Sequence, residues 1–201
     1  MRKLAIFGCG GMGRELAYWA SESAQNEIVF VVDDGNTNEL QIDGIPVFAL
    51  SEFSRDGYEW LVAVGEPSSR KKLVEKVRSK VQFATFIHPT ARVARTSTLG
   101  VGAIIGPGVG ISVNVCIGSH TIINARSTIG HDSRIGDFVT ISPHVAIMGN
   151  CKVGKESFLG TNSCFKEGTT IAEESVIGMG SVVISNLDSG VYVGNPARQI
   201  K

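Results

Sequence analysis

A six-residue repeat runs through the second half of this sequence. From Ile87 to Val183 every sixth residue is large and apolar, which gives seventeen such positions in succession. In a chain that is 43% hydrophobic, such a run arises by chance only a few times in roughly a million sequences. The residue two positions earlier in each repeat is small from Ala91 to Ser181. The repeat therefore constrains the fold of everything after residue 86.

The repeat predicts a β-solenoid with a triangular cross-section. Each hexad forms one short strand and a corner, so that about three hexads close a coil of about eighteen residues. One large side chain per hexad points inward, and successive coils stack at the strand spacing of about 4.8 Å. The span from Ile87 to Val183 then makes about five coils. A β-sandwich is disfavoured, because it would alternate with a period of two.

Residues 1–86 follow a different pattern, in which strands alternate with helices. This order predicts a small parallel sheet that begins with a βαβ unit and is too short for a complete dinucleotide fold. We therefore expect two domains, an α/β half-Rossmann domain over residues 1–86 and an all-β solenoid domain with a C-terminal tail over residues 87–201. The elements predicted for the first domain are strands at Lys3–Phe7, Ile28–Val32, Trp60–Val64 and Gln82–Phe86 and helices near Met12–Ser23 and over Ser68–Lys80.

A glycine-rich turn joins the first predicted strand to the first predicted helix. Gly8, Gly10 and Gly13 have the GxGxxG spacing, and Asp33 and Asp34 follow about twenty residues later at the end of the next strand. Such glycines let backbone N–H groups and a helix N-terminus face a phosphate, while a carboxylate can accept a hydrogen bond from a ribose hydroxyl. A nucleotide-sugar fits this half-fold better than a redox dinucleotide. The alternative is a tight turn that serves packing only.

His131 and Asp132 form a second candidate site. They follow the inward residue Ile129 and the corner residue Gly130, so both side chains are expected on the outside of the coil. Histidine titrates near neutral pH and can remove a proton, and an adjacent carboxylate can orient the ring and stabilise the imidazolium. The alternative is a solvated surface histidine.

Composition excludes several other functions. Lysine plus arginine and aspartate plus glutamate both total 19, so the chain lacks the basic excess typical of nucleic-acid-binding proteins. No apolar run approaches the roughly 18 residues of a membrane span, and we expect a cytoplasmic protein. The four cysteines form no CxxC pair, and the histidine spacing does not suit a metal, so neither disulfides nor a metal site is expected.

Further motifs accompany the glycine loop and the paired aspartates. They are Ile-His-Pro at 87–89, Ile-Gly-His-Asp at 129–132, Ile-Gly-Asp-Phe at 135–138, Gly-Asn at 149–150 and Gly-Asn-Pro-Ala-Arg at 194–198. Together they resemble the hexapeptide-repeat sugar acyltransferases. More narrowly, the chain is similar to the group of sialic acid O-acetyltransferases and N-acetyltransferases of nucleotide-linked 4-amino-sugars. The resemblance covers the whole chain and implies that the solenoid is a left-handed parallel β-helix.

The resemblance also implies an activity and its residues. The expected reaction moves an acetyl group from acetyl-CoA to the amino group of a nucleotide-linked 4-amino-deoxysugar, in surface glycan or glycoprotein sugar biosynthesis, in a homotrimer. His131 matches the general base and Asp132 the acid that orients it. The implied acyl-CoA contacts are Asn124, Gly149, Lys166 and Arg198, and the implied nucleotide-sugar contacts are Gly8, Gly10, Gly13, Asp33, Asp34 and Gly65.

Two further positions bear on the substrate, and one of them, Thr140, leaves the acceptor and the acyl group open. Arg70 stands in the first turn of the helix that follows Gly65 and could reach the nucleotide-sugar. Thr140 stands where some similar enzymes carry a second histidine that contacts the acyl group. The alternatives to N-acetylation are therefore O-acetylation of sialic acid and a non-catalytic role in nucleotide-sugar binding.

Overall fold

The computed structural model describes residues 2–22, 26–35 and 40–201. The chain divides into two compact units. The first comprises Met1–Gly65 and Ser69–Ala84, and the second comprises Glu66–Ser68 and Thr85–Lys201.

The first unit contains a mostly parallel sheet. The elements of this region are β1 (Arg2–Phe7), α1 (Gly11–Ser21), β2 (Asn26–Val32), β3 (Gln41–Ile42), β4 (Ile45–Ala49), β5 (Glu59–Val62), α2 (Pro67–Val77) and β6 (Gln82–Phe83). The described strands pair in the order β3-β4-β2-β1-β5-β6, and only β3 with β4 is antiparallel. The central strands are buried over short apolar runs such as Leu4–Phe7, as expected for a parallel sheet that is covered on both faces. Their carboxyl ends therefore meet at one edge of the sheet.

One predicted strand of this region is wrong. The segment Gln82–Phe86 does not form a single element, because Phe83 pairs with Trp60 of β5 whereas Phe86 pairs with Ile104 of the solenoid. Both pieces are too short for their side-chain pattern to reveal which sheet each one joins. The helix predicted near Met12–Ser23 ends at Ser21 within the described residues, and Ser23 lies outside them.

The second unit is a parallel β-helix, and all of residues 85–201 are described. Strands eighteen residues apart pair in register, so that Ile105 lies between Ile87 and Ile123. This register builds three sheets, one for each side of the triangle. The strands are β7 (Phe86–Ile87), β8 (Arg92–Val93), β9 (Thr98–Leu99), β10 (Ile104–Ile105), β11 (Gly110–Ile111), β12 (Cys116–Ile117), β13 (Ile122–Ile123), β14 (Thr128–Ile129), β15 (Arg134–Ile135), β16 (Thr140–Ile141), β17 (Ala146–Ile147), β18 (Lys152–Val153), β19 (Phe158–Leu159), β20 (Cys164–Phe165), β21 (Thr170–Ile171), β22 (Val176–Ile177) and β23 (Val182–Val183). The antiparallel pair β24 (Val191–Val193) and β25 (Arg198–Gln199) ends the stack.

The interior of the β-helix contains the large residue of each hexad. From Ile105 to Val183 these side chains are at most 4% exposed. Ile87 departs from the pattern at 45% exposure, because β7 is the terminal strand of its sheet. The small residues are buried as well, and many are serines or threonines whose hydroxyl groups bond a carbonyl of the next coil, as Ser127 does with Ser142 at 2.9 Å. Small hydroxyl residues thus fill the bends and satisfy backbone acceptors there.

From residue 102 to residue 180, each corner contains a residue in the left-handed conformation, three positions after the large apolar residue. Ten of these residues are not glycine and have φ between 54° and 60°. The conformation recurs in every coil, so equivalent corner side chains stack in columns with a period of eighteen residues. The candidate active site lies where the column that contains Asp132 runs beside the column that contains His131.

Candidate active site

His131 and Asp132 lie at the corner that follows β14. The imidazole is 50% exposed and the carboxylate 47% exposed. His131 Nδ1 is 2.9 Å from Oδ2 of Asp132. An ionised carboxylate can only accept, so Nδ1 is the donor, and in the neutral ring the lone pair lies on Nε2. This is the tautomer that a general base needs.

Asp132 is held from the coil below. Asn114 Nδ2 donates to the other carboxylate oxygen, Oδ1, at 3.2 Å. The hydrogen bond from His131, followed by the one from Asn114, lowers the pKa of Asp132. Both oxygens of the carboxylate are therefore engaged, and Asp132 stays ionised at neutral pH.

Gly149 lies one coil above His131. A β-carbon at position 149 would stand 2.5 Å from Nε2 of the imidazole. The backbone N–H of Asn150 donates to the carbonyl of His131 at 2.7 Å, which fixes the two turns against each other. The missing side chain at Gly149 thus leaves the space that the imidazole occupies.

A groove of about 500 Å³ opens in front of the imidazole. Its lining includes one cationic side chain, Arg92, from a coil below His131, and one carboxylate, Glu167, from a coil above it. Asn150 Nδ2 lies 3.4 Å from Oε1 of Glu167. The remaining lining includes Ser112, Thr128, Gly130, Met148 and Gly149.

Sequence reasoning missed Asn114, Arg92 and Glu167. Asn114 and Glu167 stand eighteen residues before Asp132 and eighteen after Gly149, so the coil period contained the signal. The predicted coil length placed these residues at neighbouring corners, but only the structure shows that their side chains bond Asp132 and Asn150. Of the residues assigned to the acyl-CoA side, the groove brings only Gly149 next to His131 and Asp132.

The other expected acyl-CoA contacts do not line this groove in the single chain. Asn124 Nδ2 donates to the carbonyl of Ile141 at 2.9 Å, at the corner that follows β13. Lys166 is exposed after β20, and Arg198 is exposed in β25. Thr140 is buried in β16, outside the groove lining.

The nucleotide-sugar candidates collect at the carboxyl ends of three neighbouring strands, β2, β1 and β5. Gly8 has φ +113°, which favours glycine, and a β-carbon on Gly13 would stand 1.9 Å from the carbonyl oxygen of Gly8. Packing alone therefore accounts for Gly8 and Gly13. A β-carbon on Gly10 or Gly65 would meet no atom of the described part of the chain within 4 Å. Packing does not require glycine at these two positions.

The acidic pair and Arg70 are bonded within the first unit. Lys76 Nζ donates to Asp33 Oδ1 at 2.6 Å. Asp34 Oδ1 accepts from the Ser51 backbone N–H at 3.0 Å and from its hydroxyl at 2.9 Å, and these bonds lower the pKa of Asp34. Arg70 is fully buried, and its Nη1 donates to the carbonyl of Val64 at 2.6 Å. Arg70 thus holds the loop that contains Gly65, whose carbonyl it also contacts at 3.2 Å.

Over residues 2–22, 26–35 and 40–201, no three histidine, cysteine, aspartate or glutamate side chains group as a metal site would require. In the same ranges, no helix has the length and apolarity to cross a membrane.

Comparison with known proteins places the chain. Residues 3–77 match the PglD N-terminal domain family. Over its whole length the chain is 31% identical to GDP-perosamine N-acetyltransferase from Escherichia coli O157:H7, and the alignment covers 97% of that relative. The chain belongs to the family of nucleotide-linked amino-sugar N-acetyltransferases.

Two further family members bear on fold and chemistry. Over 111 residues the chain is 33% identical to UDP-N-acetylbacillosamine N-acetyltransferase from Bacillus subtilis, an alignment that spans 52% of this chain and 51% of that relative. The acetyltransferase domain of PglB from Neisseria gonorrhoeae FA1090, solved with acetyl coenzyme A, has a TM-score of 0.91 at 29% identity and 99% coverage of both chains. The expected fold class, an α/β half-Rossmann domain followed by a left-handed parallel β-helix, is confirmed, as is the expected enzyme class, an acetyl-CoA-dependent sugar N-acetyltransferase.

Proposed function

We propose that the protein transfers the acetyl group of acetyl-CoA to the amino group of a nucleotide-linked 4-amino-deoxysugar, with His131 as the general base. The observation that carries the proposal is the 2.9 Å contact between His131 Nδ1 and Asp132, which leaves Nε2 at the groove without a hydrogen-bond partner in the described part of the chain. Two relatives that act on sugars linked to different nucleotides support the substrate class. A backbone loop that binds a diphosphate fits both relatives, because UDP- and GDP-linked sugars share that group.

The reaction needs a base and an oxyanion donor. Acetyl-CoA supplies the acetyl group as a thioester. Nε2 of His131 accepts a proton from the sugar amine as the nitrogen–carbon bond forms, and it returns that proton to the CoA thiolate as the carbon–sulfur bond breaks. Asp132 stabilises the imidazolium between these two transfers.

Gly149 is our candidate for the oxyanion donor. Its backbone N–H has no acceptor among the described residues, and it lies one coil above His131, beside Nε2. A preorganised N–H at such a place lowers the barrier by about 3–4 kcal/mol when it meets a developing negative charge. The N–H and the imidazole would then act on the same carbonyl from one side of the groove.

The first unit is our candidate for the binding site of the nucleotide part of the sugar substrate. Gly10 and Gly65 leave open space at the carboxyl ends of β1 and β5, which lets a diphosphate approach the backbone. Asp33 and Asp34 stand at the end of β2, where a ribose hydroxyl can donate to them. Gly8 and Gly13 shape the turn, and Arg70 positions the Gly65 loop.

The binding site for acetyl-CoA is proposed to form between subunits of a homotrimer. Asn124, Lys166 and Arg198 lie away from the groove of their own chain, so a neighbouring β-helix would have to bring them to it. Three consecutive outward residues of the groove-bearing sheet, Gly110, Thr128 and Ala146, are small and permit close approach of another chain. Light scattering tests this: a mass of three chains is expected, and a fully active monomer would contradict it.

The deciding experiment measures thiol release from acetyl-CoA against UDP-, GDP- and dTDP-linked 4-amino-sugars and against sialic acid. Release with a nucleotide-linked amino-sugar, abolished in His131→Ala, is the expected result. Release with sialic acid alone would replace N-acetylation by O-acetylation, and silence throughout would favour the binding role. A cytoplasmic location and a place in surface glycan synthesis belong to the same proposal.

A further inference from the structure

We propose that Asn114 is a positioning residue of the reaction, because it locks the carboxylate of Asp132 in the orientation that holds His131 as a base. The inference rests on the proposed role of His131. It concerns a residue that the sequence motifs did not indicate and that lies eighteen positions before Asp132, one coil below.

The contact geometry gives Asn114 this role. A carboxylate bonded only to His131 could rotate about its terminal torsion, since both side chains are about half exposed. Asn114 Nδ2 occupies Oδ1 at 3.2 Å and so directs Oδ2 toward His131. A hydrogen bond to a charged acceptor is stronger than one between neutral groups, which suits it to restrain an exposed side chain.

Asn114 is itself anchored from the next coil down. Its backbone N–H donates to Thr96 Oγ1 at 3.0 Å, and its φ is 57°. Asparagine tolerates this left-handed conformation better than most residues. The anchored backbone sets the direction of the amide, so the chain Thr96, Asn114, Asp132 and His131 continues from coil to coil to the groove.

Equivalent residues in the corner column of Asn114 show whether the left-handed turn itself requires asparagine. The column continues through Asp132 and Asn150 to Gly168, which has φ 78°. Glycine therefore adopts the same turn without strain. If Asn114 served only the turn, Asn114→Gly would be silent in catalysis.

Two substitutions and one matched control test the proposal. Asn114→Gly removes the amide without backbone strain, and Asn114→Asp keeps the shape but cannot donate. Asn162→Gly is the control, because Asn162 has φ 59° at a different corner and does not line the groove. All three are compared with His131→Ala in the thiol-release assay.

We expect Asn114→Gly to lower kcat roughly ten- to a hundredfold with little change in either KM, as for the loss of one charge-assisted hydrogen bond. Asn114→Asp places a second carboxylate against Asp132, and above the pH at which the two share a proton the pair carries one more negative charge beside the imidazole than the wild type does. The acid limb of its pH–rate profile should move to higher pH, because added negative charge stabilises the imidazolium. The other charged side chains that face this groove, Arg92 and Glu167, are unchanged in both variants.

A spectroscopic readout is independent of turnover. In ¹⁵N-labelled protein, the His131 signals are assigned by their loss in His131→Ala. The wild-type neutral ring should carry its proton on Nδ1, and Asn114→Gly should give a mixture of tautomers. Asn162→Gly should match the wild type.

The outcomes separate the two proposals. Full kcat in Asn114→Gly, an unmoved pH profile in Asn114→Asp or an equal loss in Asn162→Gly would overturn the role of Asn114 while leaving His131 as the base. Full activity in His131→Ala would instead overturn the proposed function. If Asn114→Gly lowers both kcat and the unfolding midpoint while the tautomer of His131 is unchanged, the role of Asn114 is structural only.

Discussion

The imidazole of His131 fits beneath Gly149, where a β-carbon would stand only 2.5 Å from Nε2. The proposed base and the proposed oxyanion donor are thus held by the same pair of stacked turns. Any side chain at position 149 must displace the ring or the turn.

Gly149→Ala tests this arrangement. The substitution keeps the backbone N–H but pushes the imidazole away from its position, and misplacement of a base by about 1 Å can cost roughly a hundredfold in rate. We expect kcat in the thiol-release assay to fall by about that factor while binding of acetyl-CoA, measured by calorimetry, is retained. A variant with wild-type kcat would show that the ring position does not matter.

Asp132→Asn tests the tautomer. The amide can donate to Nδ1, which would place the ring proton on Nε2 and block the base. We expect kcat to fall by roughly 10²–10⁴-fold, as in other triads that lose the orienting carboxylate. Asp137→Asn is the control, because Asp137 Oδ1 accepts from the Ser119 backbone at 2.6 Å at another corner. An equal loss in both variants would point to folding instead of catalysis.

Gly65→Val tests the nucleotide end. Among the residues that the structure describes, a β-carbon at position 65 meets nothing within 4 Å, so the fold should tolerate valine, whereas an approaching diphosphate would not. We expect the KM for the nucleotide-sugar to rise about tenfold or more, with an unchanged KM for acetyl-CoA and an unchanged unfolding midpoint. Gly13→Ala should behave oppositely and destabilise the protein, because its β-carbon would collide with the carbonyl of Gly8. Unchanged kinetics in Gly65→Val would exclude this loop from the site.

Ile141→Ala tests the hexad core. Ile141 is fully buried, so its truncation should lower the free energy of unfolding by about 2–5 kcal/mol. Ile184→Ala is the matched control, because Ile184 is 49% exposed and should cost less than about 1 kcal/mol. Urea unfolding followed by circular dichroism measures both, and similar losses would argue against an inward column.

Tyr58→Phe tests the pH dependence of stability. The Tyr58 hydroxyl donates to Glu27, and this bond lowers the pKa of Glu27. Burial, followed by the same bond, raises the pKa of Tyr58 to about 12.

The two shifts act at opposite ends of the pH range. The Glu27 contribution is present above its unfolded pKa of about 4.3 and is lost as pH falls through the lower folded value. The Tyr58 contribution is present below about pH 10 and is lost as pH rises through the folded value. Tyr58→Phe should therefore flatten the unfolding free energy at both extremes, measured by urea titrations across pH. Curves that stay parallel to the wild type would contradict the assignment.

The sequence by itself determined the length of the coil and which side chains point into it. The alternation of one large and one small residue per hexad depends on side-chain size within a few residues, so the period, the inward residues and the outward position of His131 could be read directly. The spacing of the glycine loop likewise predicted a strand, a turn and a helix. Each of these features depends on neighbours in the chain.

Only the tertiary structure decided which residues surround His131. Gly149 lies against the His131 ring, Asn114 bonds Asp132 and Glu167 bonds Asn150 because backbone pairing between coils brings these corners together and their side chains turn toward one another. The same reason explains why Phe86 joined the solenoid and not the first sheet. Burial of Arg70 in the first unit could not be read from its place in a charged helix, since long-range packing decides which polar groups receive carbonyl partners.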